Sequence, residues 1–301
     1  MLKYKKFLKR RGNNMLHTNI KYFHSMIVDG NMNLDKKFYP EGMNKEEIKA
    51  DFTMRRIKLG RELGFDGLKI LTPIQKKRPD LSDSTEEEKQ RLLAKYDTKY
   101  MDGHAVRITR DMIDSYEDLY DIDIDSDILM IDSTLPEIAL AYPVADSPVV
   151  FAEDTINQVV AMAHCGGEYI DRGLAGDLIE QLRGTSDCHP DDISVYIGPH
   201  AQAHSYTYDC FPKFVKNGQY WTECLTEQDG FIHINMAKAI IRQLEAKHIP
   251  ITNIHNSDID TITNPNFYSN NRARFDQNKD GRFYTGCFYQ QGQSWIKTRR
   301  R

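Results

Sequence analysis

The sequence lacks several features that would assign it to a simple class. It contains no CxxC pair and its five cysteines are irregularly spaced, which argues against a disulfide scaffold or a zinc knuckle and favours a reducing compartment. No apolar run approaches the length of a membrane span, and the basic start lacks the apolar run of a signal peptide. A net charge of −4 gives no general attraction for nucleic acid or anionic membranes. We therefore expect a cytosolic protein.

The length and composition are those of an ordinary globular protein. The 301 residues are 40% hydrophobic and 28% charged, which allows one large domain or two smaller ones. Both ends are basic, and we interpret them as solvated tails rather than as arms that bind a partner. We therefore predict tails at 1–20 and 293–301 around a single domain at 21–292.

Apolar periodicity predicts interleaved strands and helices. Helices are predicted over 45–64, 84–95, 174–183 and 236–247, and strands over 68–71, 128–131, 138–142, 149–151, 159–163, 193–197, at Ile254 and over 283–289. These elements do not follow a strict βαβ period. We therefore predict an α+β fold, in which mixed sheets and helices are layered as α/β/β/α, rather than a doubly wound fold.

Two acidic stretches depart from the calcium-loop pattern that they partly match. The run 118–127 lacks the glycine turn and the terminal glutamate of a calcium loop, which favours a solvated loop. Residues 276–282 match the first half of an EF-hand loop, but Cys287 stands where a bidentate glutamate is required. A hairpin turn with Asp280 and Gly281 at its tip is the better interpretation.

The most informative stretch is Val159–Gly167. An apolar, strand-like run delivers His164 and Cys165 into a glycine turn, and a helix is predicted beyond it. A reactive side chain at a strand end, facing an open turn, is a common way to build a site; the alternative is a buried core histidine beside a loop. Because side chains alternate along a strand, we expect Cys165 to point away from the face that carries His164 and to be structural, unless a neighbour lowers its pKa.

Two further candidates are weaker. His200 and His204 are four residues apart, so on a helix they would share one face as metal-binding pairs do, but Gly198-Pro199 precedes them and the glutamate of HExxH is missing. Ser147 joins two apolar strands and could be a nucleophile if a base lies within reach. Without a GxSxG elbow, it is interpreted from the sequence alone as a turn residue.

Several short segments form an ordered set of motifs along the chain. They are Asn33-Leu34, Arg56, Thr72–Gln75, Ala145–Pro148, Ala163–Gly166, Arg172-Gly173, Ile197–Tyr206, Ser269–Arg272 and Gly281-Arg282. Taken in order, these motifs resemble the laccase-domain family of cytoplasmic proteins, also called YfiH-like, multicopper polyphenol oxidase-like or peptidoglycan-editing-factor-like. The resemblance covers residues 33–288 and depends on the order of the motifs more than on any one of them. The resemblance implies a single YfiH-like domain.

The resemblance also implies a metal, because family members place two histidines and a cysteine around a pocket that can hold zinc or copper. In this sequence Lys77 and Ser147 stand at two of these positions, and only His164 is kept. A charged lysine and a serine hydroxyl are poor ligands, and zinc sites need at least three protein ligands. We expect either no metal or one zinc in a site rebuilt from His164 with Cys165 or His204, and we favour the loss of the site.

The chemistry that the family implies is phosphorolysis or deamination of purine nucleosides such as adenosine and inosine. If the motifs align, Lys77, Ser147 and His164 face one pocket. His164 would then act as a general base on water or on the Ser147 hydroxyl, Asp146 would orient the imidazole, and Lys77 would stabilise an anion such as phosphate. Substrate or phosphate contacts are expected from Arg56, Gln75, Arg172 and Arg282.

Three classes of function therefore stay open. The first is an enzyme whose partners are a purine nucleoside and phosphate, with no nucleic acid or membrane partner. The second is a non-catalytic binding protein of the same fold, favoured by the two substituted ligands, and the third is a hydrolase that edits cytoplasmic peptidoglycan precursors. A multicopper oxidase is disfavoured, because ten scattered histidines without HxH pairs do not supply its ligands. The sequence leaves the oligomeric state open.

Overall fold

A computed structural model of the protein describes residues 8–11, 14–17, 19–73, 85, 104–216, 218–275 and 280–290. Lys77, Gln75, nearly all of the predicted helix at 84–95, residues 276–279 of the predicted hairpin turn and the basic end at 293–301 lie outside the described residues. The described helices are α1 (Lys45–Leu63), α2 (Arg110–Ile113), α3 (Gly167–Asp171), α4 (Leu174–Ser186), α5 (Gly218–Trp221), α6 (Met236–Ala246) and α7 (Asn270–Ala273).

The described strands form two large sheets and two small ones. The strands are β1 (Leu8–Arg11), β2 (Asn14–His17), β3 (Ile20–His24), β4 (Ile70–Leu71), β5 (Ala105–Arg107), β6 (Ile128–Asp132), β7 (Ala139–Val144), β8 (Val149–Asp154), β9 (Val159–His164), β10 (Ile193–Ile197), β11 (Thr207–Tyr208), β12 (Leu225–Gln228), β13 (Phe231–Ile234), β14 (Ile254–Asn256) and β15 (Phe283–Tyr289). The sheet orders are β14-β10-β8-β9-β6-β5, β3-β15-β7-β4, β11-β13-β12 and β1-β2. Both large sheets are mixed, because their edge strands β14, β5 and β4 pair parallel and the others antiparallel.

The two large sheets pack face to face between helices. Helices α4 and α6 pack on the outer face of the six-stranded sheet and form the first core cluster with it, through residues such as Leu178 and Ile240. The second fills the space between the sheets, where Phe151 and Tyr196 meet Tyr22 and Tyr142. A third packs α1 on the outer face of the four-stranded sheet. This is the predicted α/β/β/α arrangement, and the predicted α+β fold class is confirmed.

The bounds of helix α1 are set by residues at its two ends. The Asn44 side chain accepts from the Glu47 amide at 2.9 Å, and the Glu47 carboxylate accepts from the Asn44 amide at 2.8 Å, which is a capping box. The helix ends at Gly64, whose φ of 85° is left-handed and favours glycine. In the described part of the chain, no helix is both long enough and apolar enough to cross a membrane.

Two of the differences from the prediction lie in the first third of the chain. The strand predicted at 68–71 is reduced to Ile70–Leu71, because the Asp66 carboxylate accepts from the Leu68 amide at 3.0 Å and turns Gly67–Lys69 into a 3₁₀ helix. Within the predicted N-terminal tail, β1 and β2 form a two-stranded antiparallel sheet.

Candidate functional site

His164 is the last residue of β9, a central strand of the six-stranded sheet. It pairs with Val149 at the start of β8, and the next amide, that of Cys165, donates to the Pro148 carbonyl at 2.9 Å. The His164 ring lies 5.7 Å from the ring of Tyr142, which belongs to the opposite sheet. Cys165 lies instead in the helix-covered core. The two neighbours therefore lie on opposite faces of the sheet, as strand alternation predicts.

The Ser147 hydroxyl and the His164 imidazole approach the same turn. A Cβ placed on Gly166 would lie 3.5 Å from Ser147 Oγ and 4.0 Å from His164 Nε2. Ser147 follows β7 and His164 ends β9, so two strands from different sheets deliver these groups to one point. Gly166 leaves the space between them open, because it has no side chain. The structure thus brings two of the predicted catalytic side chains together.

The imidazole is held in its neutral form. Burial and, to a smaller extent, the nearby positive charge of Arg282 together lower the pKa of His164 to about 4. At neutral pH one ring nitrogen is therefore unprotonated and can accept a proton. The thiol of Cys165 behaves differently, because burial, with Asp177 and Asp127, raises its pKa well above the usual range. Cys165 is therefore a poor nucleophile.

Asp146 is turned toward loops that come late in the sequence. Its carboxylate accepts from Thr261 Oγ1 at 2.8 Å, from Ser269 Oγ at 3.0 Å, and from the amide and the side chain of Asn271 at 2.7 and 2.9 Å. Its carbonyl accepts from the Ala201 amide at 2.8 Å, and its φ is 74°. These contacts clamp the backbone just before Ser147 in a left-handed conformation. Both carboxylate oxygens of Asp146 thus bond to these loops, whereas the sequence predicted a contact with the imidazole.

The predicted binding arginines lie in three different environments. Arg282 is close enough to His164 to lower its pKa, and its guanidinium donates to the Gly281 carbonyl at 2.7 Å and lies 4.8 Å from the Phe38 ring. Arg172 is exposed just after α3. Arg56 is fully buried in the core under α1 and donates to Asp118 and to the carbonyl of Ile70. We therefore do not include Arg56 in the site.

The described residues do not fit a zinc or copper ion. Among them, no group of three or more histidine, cysteine, aspartate or glutamate side chains could hold a metal ion. His200 is buried next to Gly198, whereas His204 is 69% exposed and lies 3.1 Å from Asp260, so the pair does not share a helix face. Cys165 faces the helix-covered core. Of the family's ligand positions that lie in the described part of the chain, one holds His164 and the other holds Ser147. We therefore derive no step through a metal.

Several residues at this site were not predicted from the sequence. Thr261 and Asn271, which hold Asp146, lie 115 and 125 positions further along the chain. Tyr169 approaches the turn from α3, with Cδ2 3.9 Å from the Cβ position of Gly166. These residues have no spacing pattern, because loops that meet only in the folded protein carry no periodic signal. The resemblance at Ser269–Arg272 was the available signal for the loop that holds Asp146.

A separate cleft of about 550 Å³ lies at the other end of the four-stranded sheet. It is lined by residues near the start of β7, whereas Ser147 follows the end of that strand, about 20 Å away for a six-residue strand. The lining includes Lys21, Leu63, Phe65, Asp66, Glu137 and Phe288. This cleft lacks the histidine and serine of the turn, so we place the candidate site at His164.

The family to which the chain belongs follows from the comparisons with known proteins. A model of the multi-copper polyphenol oxidoreductase laccase family matches residues 83–289, and the chain therefore belongs to this family. The resemblance predicted from the ordered motifs is thus confirmed. No curated protein matches the chain.

Solved structures support the same fold. A Bacillus licheniformis hypothetical protein, YfiH, superposes with a TM-score of 0.68 at 18% identity, over 90% of this chain and 93% of that one. Geobacillus stearothermophilus YlmD gives a TM-score of 0.68 at 17% identity, over 95% and 100%. A Neisseria meningitidis protein gives 0.57 at 16% identity, over 91% and 95%. Because these identities are low, the likeness establishes the YfiH-like fold and nothing more specific.

Proposed function

We propose that the protein is an enzyme that acts on purine nucleosides, such as adenosine and inosine, by phosphorolysis or deamination at the His164 turn. The observation that carries the proposal is the approach of Ser147 Oγ and His164 Nε2 to one point at Gly166. Burial and Arg282 keep the imidazole neutral, which is the form a general base needs. We take the substrate class from the family resemblance and the reaction chemistry from the side chains at the turn.

Each reaction uses the same proton acceptor. In phosphorolysis a phosphate oxygen bonds to the anomeric carbon of the sugar as the bond to the base nitrogen breaks, and the base leaves with the bonding electrons. In deamination water adds to the ring carbon and ammonia leaves. His164 takes the proton from the attacking oxygen and passes it to the leaving base or the leaving amine. Ser147 donates a hydrogen bond to the attacking oxygen, and the Arg282 charge favours an anion such as phosphate. Lys77 and Gln75 are expected to add contacts to that anion.

The proposal is tested by resolving the products of adenosine and inosine with and without phosphate. Free base with ribose phosphate would identify phosphorolysis, and inosine formed from adenosine without phosphate would identify deamination. We expect His164→Ala to lower kcat at least about 100-fold, because a positioned general base contributes that much. His189→Ala is the matched control, since the His189 side chain is 71% exposed. Wild-type turnover in His164→Ala would contradict the proposal.

The second candidate is a non-catalytic binding protein of the same fold. This candidate is favoured by the side chains at the site, because no group of three or more potential metal ligands occurs among the described residues. Such a protein would bind a nucleoside without releasing any product. One equivalent of zinc in the purified protein, lost in His164→Ala, would instead support a rebuilt metal site.

A further inference from the structure

An aromatic surface begins at the turn that carries His164. Tyr169, Phe214 and Tyr208 are partly buried and pack against the helix-covered core. Tyr169 approaches the same Cβ position of Gly166 as Ser147 and His164 do. Phe214 lies directly on the next glycine, because three of its ring atoms are 2.7, 2.8 and 2.9 Å from the position that a Cβ of Gly167 would occupy. Tyr169 therefore flanks the first glycine of the turn and Phe214 covers the second.

The same surface extends outward to a cation. The rings of Phe214 and Tyr208 meet edge to face, with centroids 6.1 Å apart and an interplanar angle of 78°. The guanidinium carbon of Arg274 lies 5.7 Å from the centroid of the Tyr208 ring, and Arg274 is exposed. Aromatic faces and a guanidinium plane are the groups that stack on a planar ring.

The loop that carries Phe214 is tied to the turn. Asp171, in α3, accepts from the Lys216 amide at 3.0 Å and from Trp221 Nε1 at 3.0 Å. Trp221 in turn packs against Phe214, with ring centroids 5.5 Å apart. Because α3 begins at Gly167, the loop and the turn are held as one unit. A subsite that is ordered before binding loses less entropy when a ligand arrives.

From this continuity we infer that Tyr169, Phe214 and Tyr208, with Arg274 at the outer end, form the subsite that holds the planar ring of the substrate. The ring stacks on this surface, and the atom that is attacked lies over Ser147 and His164. The choice of a purine as the ring rests on the proposed function. The stacking itself does not, because the subsite binds the ring whether or not a bond is broken.

The inference is tested by calorimetric binding of adenosine, adenine and ribose to the full chain. We expect adenosine and adenine to bind and ribose to bind far more weakly. Phe214→Leu keeps an apolar side chain but removes the stacking face, so the Kd for adenosine should rise about tenfold. Gly167→Ala places a methyl group against the Phe214 ring and should have a similar effect. Arg274→Ala, at an exposed position, should raise the Kd about threefold.

The control is Phe211→Leu, because Phe211 lies in the same loop but is 59% exposed, and its Kd should equal that of the wild type. Thermal melting of each variant confirms that it is folded. The inference is overturned if Phe214→Leu and Gly167→Ala bind adenosine like the wild type, or if the wild type binds neither adenosine nor adenine. Ring binding without turnover supports this subsite while contradicting the proposed reaction. If turnover is lost in His164→Ala but Phe214→Leu binds adenosine like the wild type, the proposed reaction is supported and this subsite is contradicted.

Discussion

Arg56 is a fully buried basic side chain and His164 a partly buried one, and their surroundings have opposite effects on a positive charge. The Arg56 guanidinium is 0% exposed, donates to Asp118 at 2.6 Å and to the Ile70 carbonyl at 2.8 Å, and lies 5.5 Å from the Phe52 ring. Every one of these neighbours stabilises a positive charge. This region is built to keep a charge, and it joins α1 to the rest of the molecule.

The surroundings of His164 oppose a positive charge. Burial disfavours the protonated ring, and the positive charge of Arg282 disfavours it further. Both effects leave a neutral base at a glycine turn beside a hydroxyl. Burial alone therefore does not mark a functional site. A charge matched by its neighbours indicates structure, and a perturbed, neutral base facing an open turn indicates chemistry.

The largest effect that sharpens this comparison is expected at Arg56. Arg56→Met leaves Asp118 without its buried partner and should lower the free energy of unfolding by about 3 kcal/mol, because a broken buried ion pair leaves one charge uncompensated. Arg55→Met is the matched control, since Arg55 is on the same helix but more exposed, and should cost about 1 kcal/mol. Urea unfolding measures both. Equal losses in the two variants would show that Arg56 is not a special structural charge.

An intermediate effect is expected at Asp146. Asp146→Ala removes the acceptor for Thr261, Ser269 and Asn271 and places alanine at a φ of 74°, which should lower the free energy of unfolding by about 2 kcal/mol. Asp146→Asn keeps one acceptor oxygen and tolerates that φ, so it should lose about half as much. If Asp146 positions Ser147, kcat falls in both variants while the pKa of His164 stays unchanged. A shifted pKa of His164 would instead support a direct contact with the imidazole.

The smallest effect is expected at Arg282. Arg282→Gln removes the cation beside His164, so the pKa of His164 should rise above about 4 but stay below 6.5, because burial is the larger cause of the shift. Since the folded-state pKa lies below the unfolded one, protonation favours the unfolded chain, and stability falls as the pH drops from 6.5 toward about 4. That acid loss should be smaller in Arg282→Gln. Arg282→Lys keeps the charge and should match the wild type.

Much of the fold was predictable because its signals are local. The capping box and Gly64 bound α1, and the apolar run Val159–Ala163 identifies the strand that ends at His164. Alternation along that strand also predicts that Cys165 and His164 lie on opposite faces. Local chemistry explains the one shortened strand as well, since the Asp66 side chain competes for the Leu68 amide.

The surroundings of the site were less predictable because they depend on contacts between distant loops. The resemblance identified Asp146 and Arg56 by position, but position in a motif does not give the direction of a side chain. Asp146 turns toward residues 261–271, and Arg56 lies on the face of α1 that packs against the four-stranded sheet. The aromatic surface at Phe214 lies between short elements, where no helical or strand period exists to reveal it.

The most direct test of the account is an NMR titration of the His164 ring, assigned by the resonance that disappears in His164→Ala. We expect the ring to stay neutral through the physiological range and to take up a proton only near pH 4. A ring that titrates at 6.5 or above would mean that His164 is solvated or paired with an acid, and it would contradict the burial and the nearby positive charge that we assign to this site.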